Sequence, residues 1–162
     1  MTSPDRGISD GPPVGHVAIL GADLHGLRPS LIVAEGDLVC AGEAVLTDRR
    51  HPEVAIVAPI SGTVESVQRG PRRSISALVI RRGTADPAEV PSGEVRGTLL
   101  SRGMWPAFRT RPFGHIPAPD AVPEAIFVTA TRADPAAPDP AAVLEVAGDD
   151  FRGGLEALSA LT

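Results

Sequence analysis

Short apolar runs separated by glycine-bearing polar turns dominate the first half of the chain. His16-Val17-Ala18-Ile19-Leu20 predicts a short buried strand stopped by Gly21. Leu31-Ile32-Val33, Leu38-Val39-Cys40 and Ala44-Val45-Leu46 follow, parted by Glu35-Gly36-Asp37 and Ala41-Gly42-Glu43. Each of those glycines adjoins an acidic residue, the composition of tight turns that need positive φ. The polar loop Asp48-Arg49-Arg50-His51-Pro52-Glu53 then leads into an apolar strand over 54–58. Pro59 and Gly62 open a strand over 63–68, Gly70-Pro71 turns the chain, and a strand over 74–82 carries apolar residues on both faces. Residues 16–82 are therefore expected to fold as an all-β unit of short strands, preceded by a loose Gly/Pro/Ser/Asp leader over 1–15.

The pattern changes after Gly83. Residues 83–91 read as a linker, and Ser92 is placed to cap a helix with Val95, Leu99 and Leu100 on one side. An aromatic and arginine-bearing stretch comes next, then a proline-rich loop to Pro123. Ala125-Ile126-Phe127-Val128-Thr129-Ala130 predicts a buried strand of the parallel-sheet kind. Asp149 or Asp150 is expected to cap a last helix, with Phe151, Leu155, Leu158 and Leu161 at helical spacing. One strand with a few helices is too little to close an α/β layer, so 92–162 is expected to be a partial α/β domain.

Composition narrows the function. Hydrophobic residues make up 43% of the 162 positions, enough for a packed core. Aromatics are only 3% and the net charge is −5, which argues against stacking on single strands and against a phosphate-backbone binder. The lone cysteine, Cys40, forms no internal disulfide and cannot supply a four-cysteine zinc or iron–sulfur site. The longest apolar stretch, 54–60, falls far short of the roughly 18 residues a membrane helix needs. The opening residues lack the apolar stretch of a secretion signal. A soluble chain, either cytoplasmic or bound to the cytoplasmic face of something else, is the expectation. All 15 basic residues are arginine, so no side chain can form a Schiff base or accept biotin or lipoate.

Val33-Ala34-Glu35-Gly36-Asp37-Leu38-Val39-x-x-Gly42-x-x-x-Leu46, followed by Ala58-Pro59-Ile60-Ser61-Gly62-Thr63-Val64, resembles the barrel-sandwich hybrid, or hammerhead, of biotinyl and lipoyl domains. Those carriers hold a modified lysine between the two motifs, where this chain has Asp48 to Glu53 and no lysine. A swinging-arm carrier is excluded on chemical grounds, although the fold can persist without it. His51 at that tip suggests phosphotransfer, but an exposed loop histidine beside two arginines is the plainer account and is preferred. His16, His25 and His115 show no zinc-peptidase spacing, and neither a nucleophile elbow nor a dinucleotide fingerprint occurs. No catalytic, cofactor-binding or metal-binding residue is assigned. The arginines at 49–50, 69, 72–73 and 81–82 read as solvated strand ends.

Trp105-x-x-Phe108-Arg109-Thr110-Arg111-Pro112-Phe113 is different, because it concentrates the only tryptophan and two of the four phenylalanines with two arginines. Aromatic residues with arginine compose interface anchors. Trp105, Phe108, Arg109, Arg111 and Phe113 are therefore the candidate contact surface, with Arg109 and Arg111 pointing the same way if the stretch is extended. The competing account makes Trp105 and Phe108 core residues that dock this stretch onto the β unit.

Gly26-Leu27-Arg28-Pro29, the hammerhead segment, Arg72-Arg73-Ser74, Gly103-Met104-Trp105-Pro106-Ala107-Phe108-Arg109-Thr110-Arg111-Pro112-Phe113 and Ile126-Phe127-Val128-Thr129-Ala130 together resemble the A-subunit of the bacterial sodium-translocating NADH:quinone reductase. Gly154-Leu155-x-x-Leu158-Ser159-Ala160-Leu161-Thr162 is similar to the same family. The resemblance implies a β-rich barrel-sandwich hybrid followed by the start of an incomplete α/β domain. It also implies a peripheral component on the cytoplasmic face of the inner membrane, with a docking role near the quinone-reducing end. The complex would pass electrons from NADH to ubiquinone and export sodium, with flavin and iron centres in partner subunits and none in this chain. The alternatives are a C-subunit-like piece of the related membrane electron-transfer complex (Rnf type) and a stand-alone unmodified sandwich module. Relatives of this kind run to greater length, so the chain is expected to be a fragment, a split gene or a degenerate relative.

Overall fold

Glycine turns and alternating apolar positions resolve into seven antiparallel strands in a computed structural model, which describes residues 11–89, 93–130 and 139–162. The strands are β1 (His16–Leu20), β2 (Pro29–Leu31), β3 (Leu38–Val39), β4 (Ala44–Asp48), β5 (Ala55–Val57), β6 (Gly62–Arg69) and β7 (Ile75–Arg82). They form one sheet in the order β1-β7-β6-β3 and a second in the order β2-β4-β5. Val39, Val45, Leu46, Ala58, Val64, Leu78 and Ile80 are the buried centre between them, each under 3% exposed. This is a barrel-sandwich arrangement of short strands, each too short to stand alone.

Two glycines show why the motif has its form. A Cβ at Gly62 would collide with the Arg81 carbonyl oxygen, so β6 and β7 close only where the side chain is hydrogen. Gly42 has a φ of 84°, and the side a Cβ would take is occupied by the Arg102 guanidinium. That guanidinium donates to the Gly42 and Ala88 carbonyls, each at 2.9 Å. Residues 83–88, expected as a linker, lie hydrogen-bonded along the strands: Ala88 N–H donates to Ala41 O at 2.9 Å, and Ser61 Oγ donates to Asp86 O at 3.3 Å.

β1 departs from its expected burial. It is an edge strand paired only with β7, with Leu20 44% exposed while Ile19 packs against the core. The first helix, α1 (Val95–Ser101), begins after Glu94, and the expected Ser92 cap lies outside the described residues. A 3-10 turn, Trp105–Ala107, follows α1.

The described residues divide into two compact units: 13–121, and 122–162 together with residues 11–12. In the second unit the strand expected over 125–130 is not formed, and Phe127 is 88% exposed. An isolated strand cannot satisfy its backbone groups, and among the described residues of this unit there is no second strand to pair with. The last helix also begins earlier than expected. It is α2 (Pro140–Ser159), capped by Asp139, whose side chain accepts from the Ala141 N–H at 3.0 Å. A break at Ala147 (φ −120°, ψ 25°) sets Asp149 and Asp150 in the first turn after it, which is why they read as caps. No residue of α2 is buried.

Candidate contact site

The 48–53 loop lines one small cleft together with His115, Ile116 and Pro117, which follow the aromatic segment in the chain. Asp48 ends β4 with its side chain buried, at 3% exposure. Its Oδ1 accepts from the backbone N–H groups of Arg28 at 3.0 Å and Arg50 at 3.2 Å. The turn is tightened by His51 N–H donating to Asp48 O at 3.2 Å and Val54 N–H donating to His51 O at 2.9 Å. The Arg50 guanidinium lies 3.7 Å from Asp48 Oδ2 and also donates to the Gly26 carbonyl. Where a carrier holds its lysine, this chain holds a loop cross-braced by a buried carboxylate.

Trp105 is 3% exposed, and its Nε1 donates to the Pro117 carbonyl at 3.0 Å. Phe108 meets the indole edge-on at 5.3 Å, and the Arg96 guanidinium stands 5.4 Å from the ring centroid. Arg96 Nη1 also donates to Pro119 O at 2.7 Å and Ala121 O at 2.9 Å, fixing the proline-rich stretch. Thr110 N–H donates to His115 O and Gly114 N–H to Thr110 O, both at 2.8 Å, which closes a small loop carrying Arg111 and Phe113.

The five candidate residues thus have different surroundings. Trp105 and Phe108 pack together, Trp105 fully buried and Phe108 half-buried. Arg109 folds back to donate to the Pro106 and Phe108 carbonyls. Arg111 is exposed on the loop, and Phe113 is 80% exposed with its ring 6.2 Å from that of His115. Arg109 follows the 3-10 turn that ends at Ala107, and Arg111 lies in the loop closed by Thr110 and His115.

A cleft of about 160 Å³ lies where the loops approach, lined by Leu27, Asp48, Arg50 and His51 on the strand side and by His115 and Ile116. His51, expected to be exposed, is half-buried there. Two imidazoles and a guanidinium beside apolar walls suit binding of a carbonyl or anionic group. Among the described residues no three His, Cys, Asp or Glu side chains converge as metal ligands. Sequence reasoning misses Arg96, Asp48 and His115. Asp48 immediately before two arginines is a usable signal, but the pairing of His51 with His115 across the fold is not.

A family model described as the NqrA N-terminal barrel-sandwich hybrid domain matches residues 1–83. A second, the NqrA second alpha/beta domain, matches residues 90–162. Among curated relatives, the A-subunit of the Na(+)-translocating NADH-quinone reductase of Neisseria meningitidis serogroup A is 42% identical over 170 residues, covering 98% of this chain and 38% of the relative. The corresponding proteins of Serratia proteamaculans and Actinobacillus succinogenes are each 40% identical, covering 99% and 98% of this chain and 38% of their own lengths. The chain therefore spans 38% of the length of the relatives it matches. Both matched domains are those of NqrA, which favours that reading over the C-subunit alternative. With the two domains matched in order and the strands of the first built as a barrel-sandwich hybrid, the protein belongs to the NqrA family, that of the A-subunit of the Na(+)-translocating NADH-quinone reductase.

Proposed function

We propose that this chain is a peripheral docking component of a sodium-translocating NADH:quinone reductase, held on the cytoplasmic face of the bacterial inner membrane near the quinone-reducing end. The assembled complex moves electrons from NADH to ubiquinone and couples them to sodium export. NADH, flavin and iron centres belong to partner subunits in this reading. It is supported by the single cysteine and by the lack of a dinucleotide fingerprint. Among the described residues no helix is long and apolar enough to cross a membrane.

The observation that carries the reading is the exposed Arg111 and Phe113 loop beside the cleft of His51 and His115. An exposed phenylalanine on a braced loop costs little to order on binding, and the adjacent guanidinium supplies a directional donor. Arg111, Phe113 and the cleft face a partner protein or a quinone head group, while Trp105, Phe108 and Arg109 hold the loop in position. Arg111→Ala with Phe113→Ala tests this in the assembled complex. Stability is expected to stay within about 0.5 kcal/mol, as for exposed sites generally. Assembly yield or quinone-dependent NADH oxidation is expected to fall by about tenfold, the loss of about 1.4 kcal/mol of contact. Normal assembly and activity in that variant would contradict the assignment.

A further inference from the structure

The hairpin joining β6 and β7 is closed by two consecutive arginines in the left-handed region. Arg72 has φ 55° and ψ 28°, and Arg73 has φ 59°. Ser74 N–H donates to Pro71 O at 3.1 Å, so residues 71–74 have the form of a type I′ turn. Such turns favour Asn-Gly, because a Cβ in the left-handed region crowds the following carbonyl oxygen. This chain holds 17 glycines and places none at either position. Two long side chains are kept there against a steric penalty, the kind of outlier that points to a use.

The tip is also rigid and electrically unbalanced. Gly70 N–H donates to Ser74 O at 2.8 Å, Ser74 Oγ to Pro71 O at 2.9 Å and Arg69 Nη1 to Arg73 O at 3.3 Å. Arg69, Arg72 and Arg73 are exposed, and among the described residues none of them forms an ion pair. Glu35, which reaches this end of β6, commits its Oε1 to the Val67 N–H at 2.7 Å.

We infer that this arginine tip is a preformed docking knob for a carboxylate-rich patch on a partner protein. Guanidinium forks match carboxylates in bidentate geometry, and a turn that is already ordered loses little entropy on binding. An anionic membrane fits less well, since electrostatic anchors use clusters of about 4–8 basic residues. The tip has no large apolar side chain to enter a bilayer, and the chain's net charge is −5. The inference stands apart from the role proposed for Arg111 and Phe113.

Binding of the full chain to poly-L-glutamate at low salt tests it, with phosphatidylglycerol vesicles as a parallel probe. Arg72→Asn with Arg73→Gly is expected to melt a few degrees higher than the native chain, yet to bind poly-L-glutamate at least about tenfold more weakly. Arg81→Gln with Arg152→Gln removes the same charge elsewhere and is expected to bind within about twofold of the native chain. Arg72→Gln with Arg73→Gln keeps the backbone demand and should show the same loss of binding, which separates the missing charge from the relaxed turn. Undiminished binding by the tip variants, equal loss in the control pair, or a lower melting point for the Asn-Gly form would overturn the inference. Tip-dependent binding to the vesicles without binding to poly-L-glutamate would also overturn it, in favour of a membrane.

Discussion

Asp48 and Trp105 show how single buried side chains brace the candidate site through hydrogen bonds to the backbone. Asp48 is buried because its carboxylate replaces water for two backbone N–H groups, those of Arg28 and Arg50. Asp48→Ala leaves both donors unsatisfied, and about 1–3 kcal/mol per group is at stake. Asp48→Asn retains an acceptor and should lose less; urea unfolding of the two variants gives the comparison. Trp105 presents its face to Arg96, meets Phe108 in a T-shaped contact and gives its N–H to Pro117. Trp105→Ala is expected to lose about 3–5 kcal/mol, as other buried aromatic truncations do. A loss below about 1 kcal/mol in thermal or urea unfolding would mean that the indole does not hold the loop. Both residues are visible in the sequence, Trp105 by its rarity and Asp48 by its place before two arginines. Their more distant partners, the Arg28 amide and the Pro117 carbonyl, are backbone groups, and side-chain patterns carry no trace of those.

At the scale of elements, legibility follows the locality of the forces. β3, β4, β5 and β6 lie close to their expected positions because Gly36, Gly42 and Gly62 mark turns and close approaches that act over a few residues. The strand expected over 125–130 does not form because a strand depends on a neighbour that no local pattern supplies. α2 starts earlier than its apolar spacing predicts because Asp139-Pro140, a sound cap and first-turn signal, is masked by the prolines before it. The same reasoning gives an outcome for pieces of the chain. Residues 13–121 should unfold cooperatively by heat, since Arg102 at the end of α1 donates to the Gly42 and Ala88 carbonyls and so ties α1 and the 83–88 stretch to the β unit. Residues 122–162 alone should show no cooperative transition, because α2 buries no residue and isolated helices are marginal in water. A sharp transition in the second piece would contradict this.

For the whole molecule, the first domain is a barrel-sandwich hybrid that resembles carrier domains, but it has no lysine to carry a group. The tip that would hold a modified lysine holds Asp48, Arg50 and His51, one wall of the cleft. Intact mass spectrometry of the chain from its native host should show no biotin, lipoate or phosphate adduct. A stoichiometric adduct on residues 48–53 would restore a carrier or phosphotransfer role. What the scaffold offers instead is a support for the loop proposed as the contact surface, in a chain that belongs to the NqrA family. The meeting of the 48–53 loop with His115 cannot be read from sequence, since it joins segments 64 positions apart from His51 to His115. The most direct test of the central claim is purification of the tagged native chain from host membranes, with sodium-stimulated NADH:quinone reductase activity followed through the purification. The account predicts that activity and integral membrane partners stay with the chain, and that both fall about tenfold with Arg111→Ala and Phe113→Ala. Recovery of the native chain alone, with the activity in other fractions, would contradict it.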